Sequence, residues 1–216
     1  MKHFAILLAL FLSASVLAQK DPDAKLYLDK ISNDLNIDKA LFINFDYIME
    51  DQQNQTEVRG SGELVLMQEK YKVGFDEAVV FFDGEKLYSF NKEIEEVYIS
   101  IPDPDNAEFM FSDPISLLKK YDEAFKYRLV GPGTIEGISA TEVQLYPEDL
   151  DNDYALLKLY FAGSDDTLKG IVARKKDGVI YTMIVTEMTV KEDPGIEFFR
   201  FDQEQYPNVD VIELID

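Results

Sequence analysis

From Leu41 the apolar residues of this chain recur at every second position, and the pattern returns, broken by turn residues, almost to the end. Leu41, Ile43, Phe45, Tyr47 and Met49 alternate with Phe42, Asn44, Asp46, Ile48 and Glu50. A period of two sends alternate side chains to opposite faces of an extended strand, so a chain patterned this way must build a sheet. Leu64 and Leu66 continue the pattern, then Tyr71, Val73 and Phe75. Residues 79–82 and 87–90 flank Asp83-Gly84, which reads as a hairpin with a type I′ turn. Further strands are expected at 97–101, 125–130, 141–146, 156–161, 168–173 and 180–190, with Asp177-Gly178 marking a second hairpin and 209–214 a terminal strand. Gly131-Pro132-Gly133 reads as a loop. Short strands joined by tight turns predict one antiparallel meander of about 11 strands, long enough to curl.

Two stretches have helical rather than strand character. Asp21 is a candidate N-cap, with Pro22 at the first helical position and Ala24, Leu28, Ile31 and Leu35 on one face, which predicts a helix over 22–35. Asp113-Pro114 starts a second, carrying Ile115, Leu117, Leu118 and Tyr121. Such stripes must be laid on the concave face of the sheet. Before all of this, Lys2 and His3 precede an apolar run over 4–16, and Ala18 supplies a small residue for cleavage. Residues 1–18 therefore read as a secretory signal and 19–216 as one exported domain.

Composition removes most chemistry. There is no cysteine, so disulfides, thiolate nucleophiles and cysteine-based zinc sites are excluded. The single histidine, His3, lies in the signal. A formal charge of −21 argues against nucleic acid and against an anionic membrane surface. Asp149, Asp151 and Asp153 have the one-three-five spacing of a calcium loop. Tyr154 and Tyr160 stand where that loop needs glycine and glutamate, so no metal is expected. No coherent catalytic set is visible, and the expectation is a protein that is not an enzyme and carries no cofactor. What remains is apolar surface. Alternation assigns Ile43, Phe45, Tyr47, Leu64, Leu66, Tyr71, Val73, Phe75, Val80 and Phe82 to the lining of a cavity. Leu28, Ile31, Leu117 and Leu118 would cover it, with Phe109, Met110 and Phe111 between sheet and lid.

Several segments, in order, resemble the periplasmic outer-membrane lipoprotein carrier family, LolA. They are the first helix, the strand at 41–49, the glycine-x-glycine-x-leucine strand at 60–66 and the aromatic strand at 70–75. The hairpin at 79–90, the helix start at 113–118 and the ending at 199–202 and 207–212 complete the set. The resemblance implies a mainly β (α+β) fold, a single unclosed antiparallel β-barrel with lid helices over an apolar cavity. It implies a periplasmic carrier that holds the acyl chains of lipoproteins on their way from the inner to the outer membrane. The implied partners are acylated lipoproteins, an inner-membrane lipoprotein-releasing transporter and an outer-membrane acceptor, with the carrier a monomer. A carrier of another lipid or glycolipid, or an envelope sensor, is the alternative use of such a fold. The family's lid-latching arginine after the second strand is missing, and Gln68 and Lys70 stand there without a guanidinium fork.

Overall fold

The alternating segments pair into one sheet. A computed structural model describes residues 20–35, 38–102 and 121–214, and the features expected in the first eighteen residues and at 103–120 lie outside them. The sheet has twelve strands: β1 (Ala40–Asp51), β2 (Thr56–Met67), β3 (Lys70–Phe75), β4 (Ala78–Phe82), β5 (Leu87–Asn91) and β6 (Glu96–Ser100), then β7 (Phe125–Ile135), β8 (Ile138–Pro147), β9 (Tyr154–Ala162), β10 (Thr167–Lys175), β11 (Val179–Lys191) and β12 (Asp210–Glu213). Their spatial order is β12-β6-β5-β4-β3-β2-β1-β11-β10-β9-β8-β7. Two meanders are thus joined side by side where β1 pairs with β11. The edge strands β7 and β12 do not pair with each other, so the barrel is unclosed.

Three expectations are corrected. The terminal strand β12 runs parallel to β6, against an otherwise antiparallel sheet. Gly131-Pro132-Gly133 is not a loop but the interior of β7, where the register slips between Leu129 and Gly131. Proline is tolerated there because β7 is an edge strand and bulged. The connection at Asp83-Gly84 is four residues long, with Phe82 opposite Leu87. The Asp83 carboxylate accepts from the backbone N–H of Glu85 and of Lys86, which favours that wider turn. The two-residue turn with both φ angles positive sits instead at Glu136 (43°) and Gly137 (80°), as the type I′ geometry requires.

Helix α1 (Pro22–Leu35) has the limits its sequence predicts. Asp21 caps it, its Oδ1 accepting from the N–H of Asp23 at 2.9 Å. The other carboxylate oxygen accepts from the Leu129 N–H at 3.0 Å, and the Asp21 N–H donates to the Tyr127 carbonyl. One residue therefore both starts the helix and fastens it to the edge of β7. The Leu129 N–H chiefly, with those of Asp23 and Ala24, holds the Asp21 carboxyl below its ordinary range. A short helix α2 (Tyr121–Ala124) enters β7. Lys25 donates to Asp29 and to the Tyr121 hydroxyl, both at 2.8 Å, and that hydroxyl also bonds Asp29. The two helices are thereby clasped together.

The principal core lies on the concave face. Ala24 and Leu28 of α1 are fully buried among Val143, Leu145, Leu157 and Leu159 of β8 and β9. A second cluster occupies the convex face, where the chain's ending, residues 196–209, lies across β3–β6. There Phe201 and Val209 cover Val79, Phe81, Phe90, Val97 and Ile99. Phe199, also fully buried, closes on Ala40, Val65 and Met67. On the outer face of β8 and β9, Glu142 is nearly buried but fully engaged. Burial works against its charge, and bonds from Gln144, Tyr160 and Lys158 outweigh it, holding the carboxyl below its usual range.

Candidate ligand cavity

Between α1 and the strands the described residues do not fill the concave face. A cavity of about 630 Å³ runs along it from Leu41 and Met188 at the helix end to Met49 and Tyr181 at the other. Leu41 to Met49 is eight residue steps along one strand, roughly 26 Å at about 3.3 Å per step. This trough has two walls.

The first wall is β1–β3. Phe45 and Tyr47 of β1 lie opposite Gly62 and Gly60 of β2. Both rings lie across the glycines. A Cβ on Gly60 would sit 2.5 Å from the Tyr47 hydroxyl oxygen, and one on Gly62 would sit 2.6 Å from the Phe45 ring. The two glycines are therefore the recess that lets two aromatic rings lie flat. Phe75 of β3 meets both rings edge-on, at 6.0 Å from Phe45 and 5.4 Å from Tyr47.

Of the residues assigned to this lining from sequence, Ile43, Phe45, Tyr47, Leu64, Leu66, Val73 and Phe75 border the cavity, and Ile31 borders it from α1. Four others share the concave cluster but not the cavity wall, a correction with a packing cause. Tyr71 and Leu28 are 0% exposed and leave no surface for a ligand. Val80 and Phe82 lie beyond Tyr71, Phe82 with its ring 5.4 Å from that of Tyr71. Phe109, Met110, Phe111, Leu117 and Leu118 fall outside the described residues.

The second wall was not assigned from sequence. It consists of Leu157 and Phe161 of β9, Leu168, Ile171 and Ala173 of β10, and Tyr181, Met183 and Met188 of β11. Strict alternation cannot generate this set, because Met183 and Met188 are an odd number of positions apart. The register slips opposite Asn44 and Phe45 of β1, whose partners are Glu187 and Val185, leaving Thr186 as the extra residue of a bulge. A similar slip at Lys169 brings Leu168 inward beside Ile171, and a third, between Arg174 and Lys175, brings in Tyr154. The bulges re-aim side chains that period two would send outward.

The wall is apolar, with hydroxyls from Tyr47, Tyr154, Tyr181 and Thr182. Burial raises the Tyr154 hydroxyl, with the Tyr181 ring and the Asp153 charge acting in the same sense, so it stays neutral. Among the described residues no group of three or more acidic or histidine side chains is placed to hold a metal. Neither residue at the family's arginine position faces the trough. Gln68 in the β2–β3 turn donates to Asp38, and the Lys70 ammonium lies over the Phe199 ring on the convex side. The contacts that tie α1 down are instead those of Asp21, Lys25 and Asp29.

No family model matches the chain, and neither does any curated protein. Solved structures do. An uncharacterized conserved protein from Thermus thermophilus superposes with a TM-score of 0.56 at 11% identity, over 88% of this chain and 99% of that one. A domain described as a candidate outer membrane lipoprotein-sorting protein, from Vibrio parahaemolyticus, aligns at 0.46 and 10% identity, over 82% and 97%. A LolA superfamily protein from Nitrosomonas europaea aligns at 0.44 and 12%, over 83% and 98%. At such identities the likeness is one of fold. The chain is an unclosed antiparallel half-barrel with a helix laid along its concave face, a fold it shares with the Thermus protein over nearly the whole of that molecule.

Proposed function

We propose that this chain is a non-enzymatic carrier that takes the acyl chains of lipoproteins into the trough and moves them between the inner and outer membranes. The observation that carries the reading is the trough itself: long, narrow, apolar along both walls and left open by the side chains of the described residues. An extended acyl chain fits a slot of that shape, and each methylene taken from water contributes about 0.8 kcal/mol. Walls of Leu, Ile, Phe and Met suit it better than a rigid polar ligand, and Met183 and Met188 adapt to a flexible chain. The signal-like first eighteen residues support export to the periplasm, where a releasing transporter would load the carrier and an acceptor unload it.

The test is direct. The processed protein, purified without detergent, is examined by native mass spectrometry and then titrated with a palmitoylated lipopeptide against a bound apolar dye. An acyl-bearing ligand in the first experiment and dye displacement in the second are expected. If the lipopeptide leaves the dye in place and no acyl mass is found, the reading fails.

A further inference from the structure

Among the described residues, the trough's only charged lining residues stand at its two ends. Lys30, Asp34 and Asp166 ring the helix end, and Asp153 and Lys175 the other. Both lysines are already paired: Lys30 Nζ lies 3.5 Å from Asp34 Oδ2, and Lys175 Nζ lies 3.2 Å from Asp177 Oδ2. Counting Asp177, two cations face four carboxylates. Between the ends the polar groups of the described lining are hydroxyls and backbone. Among the described residues a fully inserted anionic head would find no unpaired cation at either end, and it would meet an excess of negative charge from the mouth and from a chain of net charge −21.

We infer that the trough selects acyl chains borne on uncharged heads, as glyceryl esters or acylated amines, and rejects fatty-acid carboxylates and anionic phospholipids. The inference rests on reading the trough as an acyl-chain site. Chain burial is the same for every lipid of one length, so it cannot discriminate among them. Only the head can, and the mouths are built against one sign of charge. Such a filter keeps the trough from being occupied by the anionic lipids of the membranes it visits.

The experiment uses the whole processed chain with a bound apolar dye at pH 8. Three competitors share one acyl chain: 1-monopalmitoylglycerol, palmitate and palmitoylcholine. The neutral and the cationic lipid are expected to displace the dye at concentrations at least about tenfold below palmitate at low salt. The gap should shrink toward 1 M salt, where the screening length falls to about 3 Å. The double substitution Asp153→Asn and Asp166→Asn should narrow it several-fold, by lowering the concentration of palmitate that displaces the dye. Asp166 has φ of 49°, a conformation asparagine also accepts, so the fold is kept. Equal displacement by palmitate and the monoglyceride overturns the inference and leaves the carrier reading standing. Rejection of palmitoylcholine along with palmitate, or a gap that neither salt nor the double substitution moves, also overturns it, because the mouths' acidity would not be the cause. Displacement by none of the three removes the carrier reading and this inference together.

Discussion

The same sheet buries opposite faces in its two parts. In β4–β6 the convex face is sealed: Phe201 and Tyr206 of the chain's ending stack on each other and lie 5.3 and 4.8 Å from Phe90, and Val209 completes the cover. Across β1 and β9–β11 it is the concave face that is apolar, and there Ile171, Tyr181, Met183 and Met188 remain only partly buried. The chain has aromatic residues enough to close a face and places them on the outside of β3–β6. Apolar surface in the trough is therefore not a shortage of material. It is surface that the described part of the chain leaves for something else to cover.

The comparison is broken most sharply at Phe199, the fully buried ring of the sealed side. Phe199→Ala should cost about 4 kcal/mol in a denaturant melt while dye binding in the trough stays within about twofold. Equal loss of binding would mean that the two faces are not separable. Next, Gly62→Val drives a side chain into the Phe45 ring and the Gly74 carbonyl. It should cost about 2–3 kcal/mol and push Phe45 into the trough, weakening acyl binding as well. The paired substitution Ile171→Ala and Met183→Ala probes the open face alone. Both residues are only partly buried, so stability should fall by about 1 kcal/mol or less, while acyl-chain affinity falls about tenfold, read by dye displacement.

The smallest effect concerns the fastening of α1. Asp21→Ala removes a cap and the bond to Leu129 and should cost about 1 kcal/mol. The pH dependence has a fixed sign. A carboxyl whose folded pKa is depressed contributes fully above its unfolded value, near 4, and loses that contribution as pH falls through the folded value. Asp21→Asn keeps an acceptor but not the charge. Denaturant melts between pH 6 and pH 3 should therefore show a shallower acid loss for this variant than for the parent. Parallel curves would show that Asp21 holds no depressed carboxyl.

How much of this could be read from the residues alone varied with the local rule. Helix α1 was legible at both ends because its cap, its proline and its stripe agree. The wall from β1–β3 was legible because Ile43, Phe45 and Tyr47 alternate without interruption, and Gly60 and Gly62 mark where rings come close. The wall from β9–β11 was not, because both faces of those strands carry apolar residues and three bulges shift the parity. A bulge at Thr186 leaves no trace in the hydrophobic pattern: it becomes visible only once β11 is paired with β1. Gly131-Pro132-Gly133 misled for the opposite reason, since turn-forming composition is equally at home on a bulged edge strand. The cover over β4–β6 was missed because Phe201, Tyr206 and Val209 follow no period. Their positions are set by the outer face they pack on.

The pairing of β1 with β11 bears on how the molecule is made. β1 ends at Asp51 and its second neighbour begins at Val179, about 130 residues later. At about 5–20 residues per second, translation leaves that edge of β1 without its native partner for roughly 6 to 26 seconds. During that interval a strand carrying Ile43, Phe45 and Tyr47 exposes both an unpaired backbone edge and half of an unfinished trough, a template for joining another copy. Contacts this distant in sequence also slow the search once the chain is complete. Refolding from denaturant should therefore be slow, and its yield should drop as protein concentration rises. A short peptide copying β11 should compete for the waiting edge.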